Sequence, residues 1–243
     1  MERKDFLKNG LSALGIAAIA PLVNACKKTD STTDTGSSGG GNTTGCTEAP
    51  TETAGPFPTK SPSAYVRSNI VDGRTGVPFT VNITIKNKNA TNCVALAGAI
   101  VDIWHCDKDG NYSEYGGTGM QSTDYTAVHF LRGRQVTDAN GLVSFTSIFP
   151  GWYSGRATHI HVHVYNASGT SLKITQIAFP EGSSSAVTIV NTTASGYTKG
   201  MSGYTTNAAD NVFSDDTAGV QLAAVSGSVA AGYVLTQNII VSA

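Results

Sequence analysis

Leu142-Val143-Ser144-Phe145-Thr146-Ser147-Ile148-Phe149-Pro150-Gly151, followed shortly by His159-Ile160-His161-Val162-His163-Val164-Tyr165, is the part of the chain that decides its architecture. In the first run Val143 and Phe145 alternate with polar residues, between turns at Asp138-Ala139-Asn140-Gly141 and Pro150-Gly151, which is the pattern of a half-buried β-strand. In the second run Ile160, Val162 and Val164 fall on one face and the imidazoles on the other, because side chains two apart on a strand share a face.

Working outward, Phe79–Ile85 alternates in the same way, and Val94–Trp104, Leu172–Phe179 and Gly232–Val241 read as further strands. Gly, Asn, Asp and Pro turns separate them, and no amphipathic helix of note intervenes. These elements predict an all-β fold, a two-sheet β-sandwich with long active-site loops, occupying residues 46–243 as one domain.

Lys and Arg number 16 against 17 Asp and Glu, with no basic patch, so a nucleic-acid partner is not expected. The chain opens with the basic stretch Met1–Lys8 and an apolar run, Leu11–Val23, too short for a comfortable membrane span; residues 1–25 are expected to be an export signal. Arg3-Lys4-x-Phe6-Leu7-Lys8 looks like a weakened twin-arginine signal. Leu22-Val23-Asn24-Ala25-Cys26 resembles a bacterial lipoprotein cleavage box, so Cys26 is expected to carry lipid and hold the protein to a membrane, in the periplasm or at the cell surface. Ordinary cleavage after Ala25 is the alternative.

Residues 26–45 are Thr, Ser, Gly and Asp with almost nothing apolar to offset ordering entropy; they are expected to form a tether spanning on the order of 25 Å. Of the remaining cysteines, Cys93 and Cys106 lie at opposite ends of an expected strand. Cys46 is therefore the natural partner of one of them in an oxidising compartment.

The candidate chemistry sits beside the histidine strand. Gly151-Trp152-Tyr153-Ser154-Gly155-Arg156-Ala157-Thr158-His159-Ile160-His161 places a phenol, a guanidinium and two same-face imidazoles within a few residues. Upstream, Trp104-His105-Cys106-Asp107-Lys108-Asp109-Gly110-Asn111-Tyr112 offers a second phenol. Phenols ionise near pH 10, so holding Tyr112 and Tyr153 as phenolates near neutrality requires a strongly charged cation; ferric iron fits best. Zinc favours Cys and His, calcium several carboxylates. Two other readings stand beside this one: a copper or zinc His-x-His metalloenzyme, and a metal-free exported sandwich module in which both tyrosines merely pack at corners. His163, His105 and His129 are read as lying outside the ligand set.

From Thr53 to about Phe179 the chain resembles the intradiol ring-cleavage dioxygenases, the family of protocatechuate 3,4-dioxygenase and catechol 1,2-dioxygenase. Thr53-Ala54-Gly55-Pro56-Phe57 resembles its Gly-Pro-aromatic segment, and Val101–Asp107 the strand entering the first ligand loop. The stretch from Thr137-Asp138 to Pro150-Gly151-Trp152-Tyr153 is similar to the approach to the second tyrosinate, and Ile174-Thr175-Gln176 to the segment carrying an active-site glutamine.

The resemblance implies an Fe(III) cofactor on Tyr112, Tyr153, His159 and His161, and cleavage of a catechol by O2 between its hydroxyl-bearing carbons to a cis,cis-muconate-type product. Tyr153 would yield its place to substrate and take a proton. Arg156 would stabilise charge on the ring, and Gln176 would hold it by hydrogen bonding. The 153–156 loop is shorter than in protocatechuate enzymes, and the helical dimerisation segment of catechol 1,2-dioxygenases is missing. The resemblance places the protein in the catabolism of aromatic compounds.

Overall fold

The computed structural model describes residues 46–243. The expected export signal (1–25), the lipid-carrying Cys26 and the tether to residue 45 lie outside the described residues.

Within them the chain forms strands β1 (Pro78–Asn87), β2 (Ile100–Trp104), β3 (Arg132–Val136), β4 (Leu142–Ile148), β5 (His159–Tyr165), β6 (Ser171–Ala178), β7 (Ala224–Ser228) and β8 (Gly232–Val241), with one short α-helix, α1 (Ala186–Val190), and three single 3-10 turns. They pair into two four-stranded sheets, β4-β1-β8-β7 and β3-β2-β5-β6. Within them β1 and β8 run parallel and the other neighbours antiparallel. The expected sandwich is therefore present.

Strand alternation makes the core. Phe79, Val81, Ile83 and Ile85 of β1 point inward against Val101 and Ile103 of β2 and Ile160, Val162 and Val164 of β5, and all are buried in one cluster. At roughly 1.5–3 kcal/mol for each large aliphatic or aromatic side chain buried, this layer dominates the favourable side of folding. On the opposite face of the second sheet, antiparallel register aligns Trp104 with His161 and His161 with Gln176. Loops cover that outer face at its end, so His159 and His161 are each only 2% exposed although they point away from the core.

The strand expected from Val94 begins only at Ile100. Asn92 (φ +62°) and Cys93 (φ +48°) are left-handed and Gly98 (φ +75°) turns the chain again, so the preceding residues cannot stay extended. The strands β3 and β7 escaped the pattern because neither alternates apolar with polar residues: β3 carries Arg132, Gly133 and Arg134, and Val225 is the one large apolar side chain of β7.

Cys46 pairs with Cys93, and Cys106 is free and buried. Nearby, Glu48 accepts from Lys88 Nζ (2.6 Å), Lys173 Nζ (2.8 Å) and Ser242 Oγ (2.9 Å), tying the ends of β1, β6 and β8 together.

Candidate metal centre

Three segments converge on the outer face of β5. Tyr112 lies on the long connection from β2 to β3, just after a turn built on Asp107, whose Oδ1 accepts from the backbone N–H of Asp109 (3.0 Å) and Asn111 (2.9 Å). The buried carboxylate of Asp107 is paired with Arg74. Gly110 sits at φ +89° with the Trp152 carbonyl where a Cβ would be, and Gly151 N–H donates to Asp107 O (3.1 Å). The loops bearing Tyr112 and Tyr153 thus pack backbone against backbone, which only glycine allows at position 110.

Gln121 clamps the Tyr112 backbone from the far side of its loop: Oε1 accepts from Tyr112 N–H (2.6 Å), and Nε2 donates to Tyr112 O (2.8 Å). Arg132, 1% exposed, donates to Ser113 O (2.6 Å), Ser113 Oγ (2.8 Å) and Phe57 O (2.9 Å), joining this loop to the 53–57 segment. Phe57 then stacks on the Tyr112 ring, centroids 4.8 Å apart.

Tyr112 Oη lies 3.0 Å from His159 Nε2, which lies 3.1 Å from His161 Nε2. Ala157 O, an obligate acceptor, is 2.6 Å from His159 Nδ1, so the proton sits on Nδ1 and Nε2 presents a lone pair. Trp104 stacks flat on His161, centroids 5.0 Å apart, and Gly55 closes the other side: a Cβ there would meet His161 Cε1 at 2.9 Å.

Burial sets the protonation states. It pushes His159 down to about 3, assisted by the Arg156 charge, and drives His161 well below its usual value, assisted by His159; both imidazoles are neutral at physiological pH. Burial likewise raises the Tyr112 phenol well above its usual value.

A cation suits this arrangement. Only one of Tyr112 Oη and His161 Nε2 can fill the single lone pair on His159 Nε2, whereas a metal at their meeting point satisfies all three atoms. His161 Nδ1 is also buried and without a hydrogen-bond partner. Among the described residues no carboxylate or cysteine lines the surrounding cavity of about 150 Å³, so the donors are imidazole and phenol, a set that favours ferric iron.

Of the residues singled out from sequence, Tyr112, His159 and His161 meet directly. Tyr153 lines the same cavity, but its hydroxyl donates to the Met120 carbonyl (2.7 Å), so it stands beside the converging atoms. Arg156 also lines the cavity; its Nε donates to Asp210 Oδ2 (2.8 Å) and its Nη2 to Gln176 Oε1 (2.8 Å). Gln176 is buried, and its Nε2 donates to Thr53 O (2.9 Å), so its amide reaches Arg156 and the 53–57 segment. His163 bonds Ser171 Oγ, His105 bonds Ser147 Oγ and His129 bonds Glu114.

A family model described as Dioxygenase matches residues 58–216, more than half of the chain. The solved intradiol ring-cleavage dioxygenase from Tetranychus urticae is similar over 81% of this chain and 95% of its own, at 30% identity and a TM-score of 0.69. This chain belongs to the intradiol ring-cleavage dioxygenase family.

The dioxygenase domain of a carbohydrate-binding fusion from Streptomyces sp. SirexAA-E, at 24% identity and TM-score 0.55, covers 81% of the present chain and 99% of its own, and shares the fold. Chlorocatechol 1,2-dioxygenase from Rhodococcus opacus is 32% identical over 108 residues, 37% of this chain and 39% of that enzyme. The match therefore spans well under half of that curated relative.

Sequence reasoning missed Gln121, Arg132 and Asp210 as supports of the site. None stands in a periodic pattern, and while Gln121 is within nine residues of Tyr112, Asp210 lies 54 residues from Arg156. Their only sequence signal is their polarity, which acquires meaning once they are buried.

Proposed function

We propose that the protein cleaves the ring of a small catechol lacking a carboxylate, between its two hydroxyl-bearing carbons, using O2 and a ferric ion held by Tyr112, Tyr153, His159 and His161. The observation that carries this reading is the convergence of Tyr112 Oη, His159 Nε2 and His161 Nε2 within 3.0–3.1 Å in a buried cavity that also holds Arg156. The chemistry a bound ferric ion supplies there is Lewis acidity, drawing electron density from a coordinated catecholate so that a ring carbon becomes reactive toward O2. Both oxygen atoms enter the cis,cis-muconate-type product, so the reaction consumes no external reductant.

The chain's own residues do the rest. Tyr112, clamped by Gln121 and stacked on Phe57, is the fixed phenolic donor. Tyr153 is the exchangeable one: its hydroxyl has an alternative partner in the Met120 carbonyl, so it can leave the centre and keep a catechol proton on its own oxygen. Arg156 places positive charge beside the cavity where carbanion-like charge develops on the ring. Gln176, engaged with Arg156 and Thr53, acts through Arg156.

Among the described residues Arg156 is the one Lys or Arg lining the cavity, and Asp210 already balances its charge. A substrate carboxylate would be buried there without a free cation, a costly arrangement, whereas Phe57 and Val212 suit an apolar ring. The similarity to chlorocatechol 1,2-dioxygenase supports the same substrate class.

Oxygen uptake by iron-loaded protein tests the reading. Catechol and 4-methylcatechol should consume O2 and form muconates, protocatechuate should not, and the protein should be red-brown from phenolate-to-iron charge transfer. An iron-bound protein that consumes no O2 with any of these or with hydroxyquinol overturns it. Loss of the colour in Tyr112→Phe and Tyr153→Phe separates iron from copper or zinc, and a colourless protein that takes up no metal would be a binding module.

The proposal extends to location: an exported protein, anchored through lipid on Cys26. The Cys46–Cys93 disulfide supports an oxidising compartment. Palmitate labelling in the native host should mark the wild type and not Cys26→Ser; equal labelling, or none, removes the anchor.

A further inference from the structure

Asp210 is fully buried beside the cavity, and its carboxylate is engaged on both oxygens. Its Oδ2 accepts from Arg156 Nε (2.8 Å) and from the Ala157 backbone N–H (2.7 Å), and its Oδ1 from the Val212 N–H (2.8 Å). Burial alone would favour the neutral acid; the hydrogen bonds from Arg156, Ala157 and Val212 outweigh it and hold the group ionised, below the usual carboxylate range.

The guanidinium is thus fixed at two points, Nε by Asp210 and Nη2 by Gln176, while Nη1 has no hydrogen-bond partner among the described residues. A planar fork held at two nitrogens keeps one orientation of the third, which a single contact would not. The same carboxylate orders the backbone at Ala157, whose carbonyl fixes the His159 tautomer, and at Val212, which lines the cavity.

We infer that Asp210 is a positioning residue: by pairing with Nε of Arg156 it aims the guanidinium at the cavity, and it governs ring cleavage through Arg156 without touching the substrate. The effect on turnover rests on the catechol reading above; the pairing itself does not. A merely structural role, bracing the backbone of Ala157 and Val212, is the competing account.

The variant Asp210→Asn removes the charged partner of the guanidinium but also leaves one of the two backbone N–H groups without its acceptor, so it separates the two accounts only when read with and without Arg156. Positioning predicts that kcat falls about 100-fold while KM changes little. In an Arg156→Gln background the same substitution should change kcat by less than about twofold, since its effect passes through the missing side chain. Equal losses in both backgrounds overturn the inference.

Two measurements do not depend on that variant folding. In wild-type metal-free protein, 15N NMR of arginine side chains should show, besides the bonded Nε–H of the buried Arg132, a slowly exchanging Nε–H that is lost in Arg156→Gln; absence of a slow signal that this variant removes refutes the pairing. Arg156→Lys, which keeps the charge but has no Nε, should lose turnover nearly as fully as Arg156→Gln, and full activity with lysine overturns the positioning role. Because the NMR readout needs no substrate, slow exchange in a protein that cleaves no catechol leaves the pairing standing and refutes only the functional reading.

Discussion

The Nε2 atoms of His159 and His161 face each other at 3.1 Å, with the proton of His159 confined to its other nitrogen by the Ala157 carbonyl. Two neutral imidazoles aimed at one point, with a phenolic oxygen at 3.0 Å, are poised for a cation. The hydrophobic core lies on the opposite face of β5 and includes none of these donors.

That separation predicts how the protein responds to losing the proposed ferric ion. Chelation should bleach the colour and lower Tm, since a ligand at 1,000 times its Kd stabilises by about 4 kcal/mol. The sandwich should nevertheless remain folded at room temperature, with calorimetry showing one cooperative transition. A chelated protein with no transition, or with an unchanged Tm, would contradict a metal seated on a preformed fold.

Gly55 should tolerate no side chain. It sits at φ +68°, which costs an L-residue about 1–2 kcal/mol, and a Cβ would press on the His161 ring at 2.9 Å. Gly55→Ala should lower metal-free stability by about that amount and, on the proposed ligand set, weaken iron binding roughly tenfold or more in chelator competition, because the ring it displaces belongs to that set. Unaltered iron affinity would show that the imidazole does not need this wall.

Arg132 is buried among Ser113, Phe57 and Glu114, its guanidinium 3.5 Å from the Glu114 carboxylate. Arg132→Met should cost about 3–5 kcal/mol in urea unfolding, the usual consequence of stranding a buried charge. Adding Glu114→Gln should recover part of that loss. A single variant within about 1 kcal/mol of wild type would refute this account.

Acid should loosen the brace around Glu48. Hydrogen bonds from Lys173 and Lys88 lower its carboxyl from the usual 4.5 to about 2. A depressed folded value means the contribution to stability is complete above 4.5 and is lost as pH falls through about 2. Wild type should therefore lose its stability advantage over Glu48→Gln across that window. Parallel stability curves for the two proteins between pH 5 and pH 2 would contradict it.

Much of the fold was legible because strand periodicity is a local property. The alternation in β1, β4 and β5 sorts inward from outward residues without knowledge of any partner, and the same spacing of two puts His159 and His161 on one face. The strands β3 and β7 were not legible, because their residues do not alternate apolar with polar, Val136 and Val225 being their only large apolar side chains.

By itself, then, the sequence determined the two-sheet sandwich, the shared face of the two imidazoles and, through its resemblance to a known family, the phenols expected beside them. Only the tertiary structure decided that Cys46 takes Cys93, that Tyr153 donates to Met120, and that Gln121, Arg132 and Asp210 hold Tyr112 and Arg156 in place. The physical reason is range. Burial patterns repeat every two residues and can be read locally, whereas a carboxylate and a guanidinium 54 residues apart meet only because the packed sheets and loops bring them to the same place.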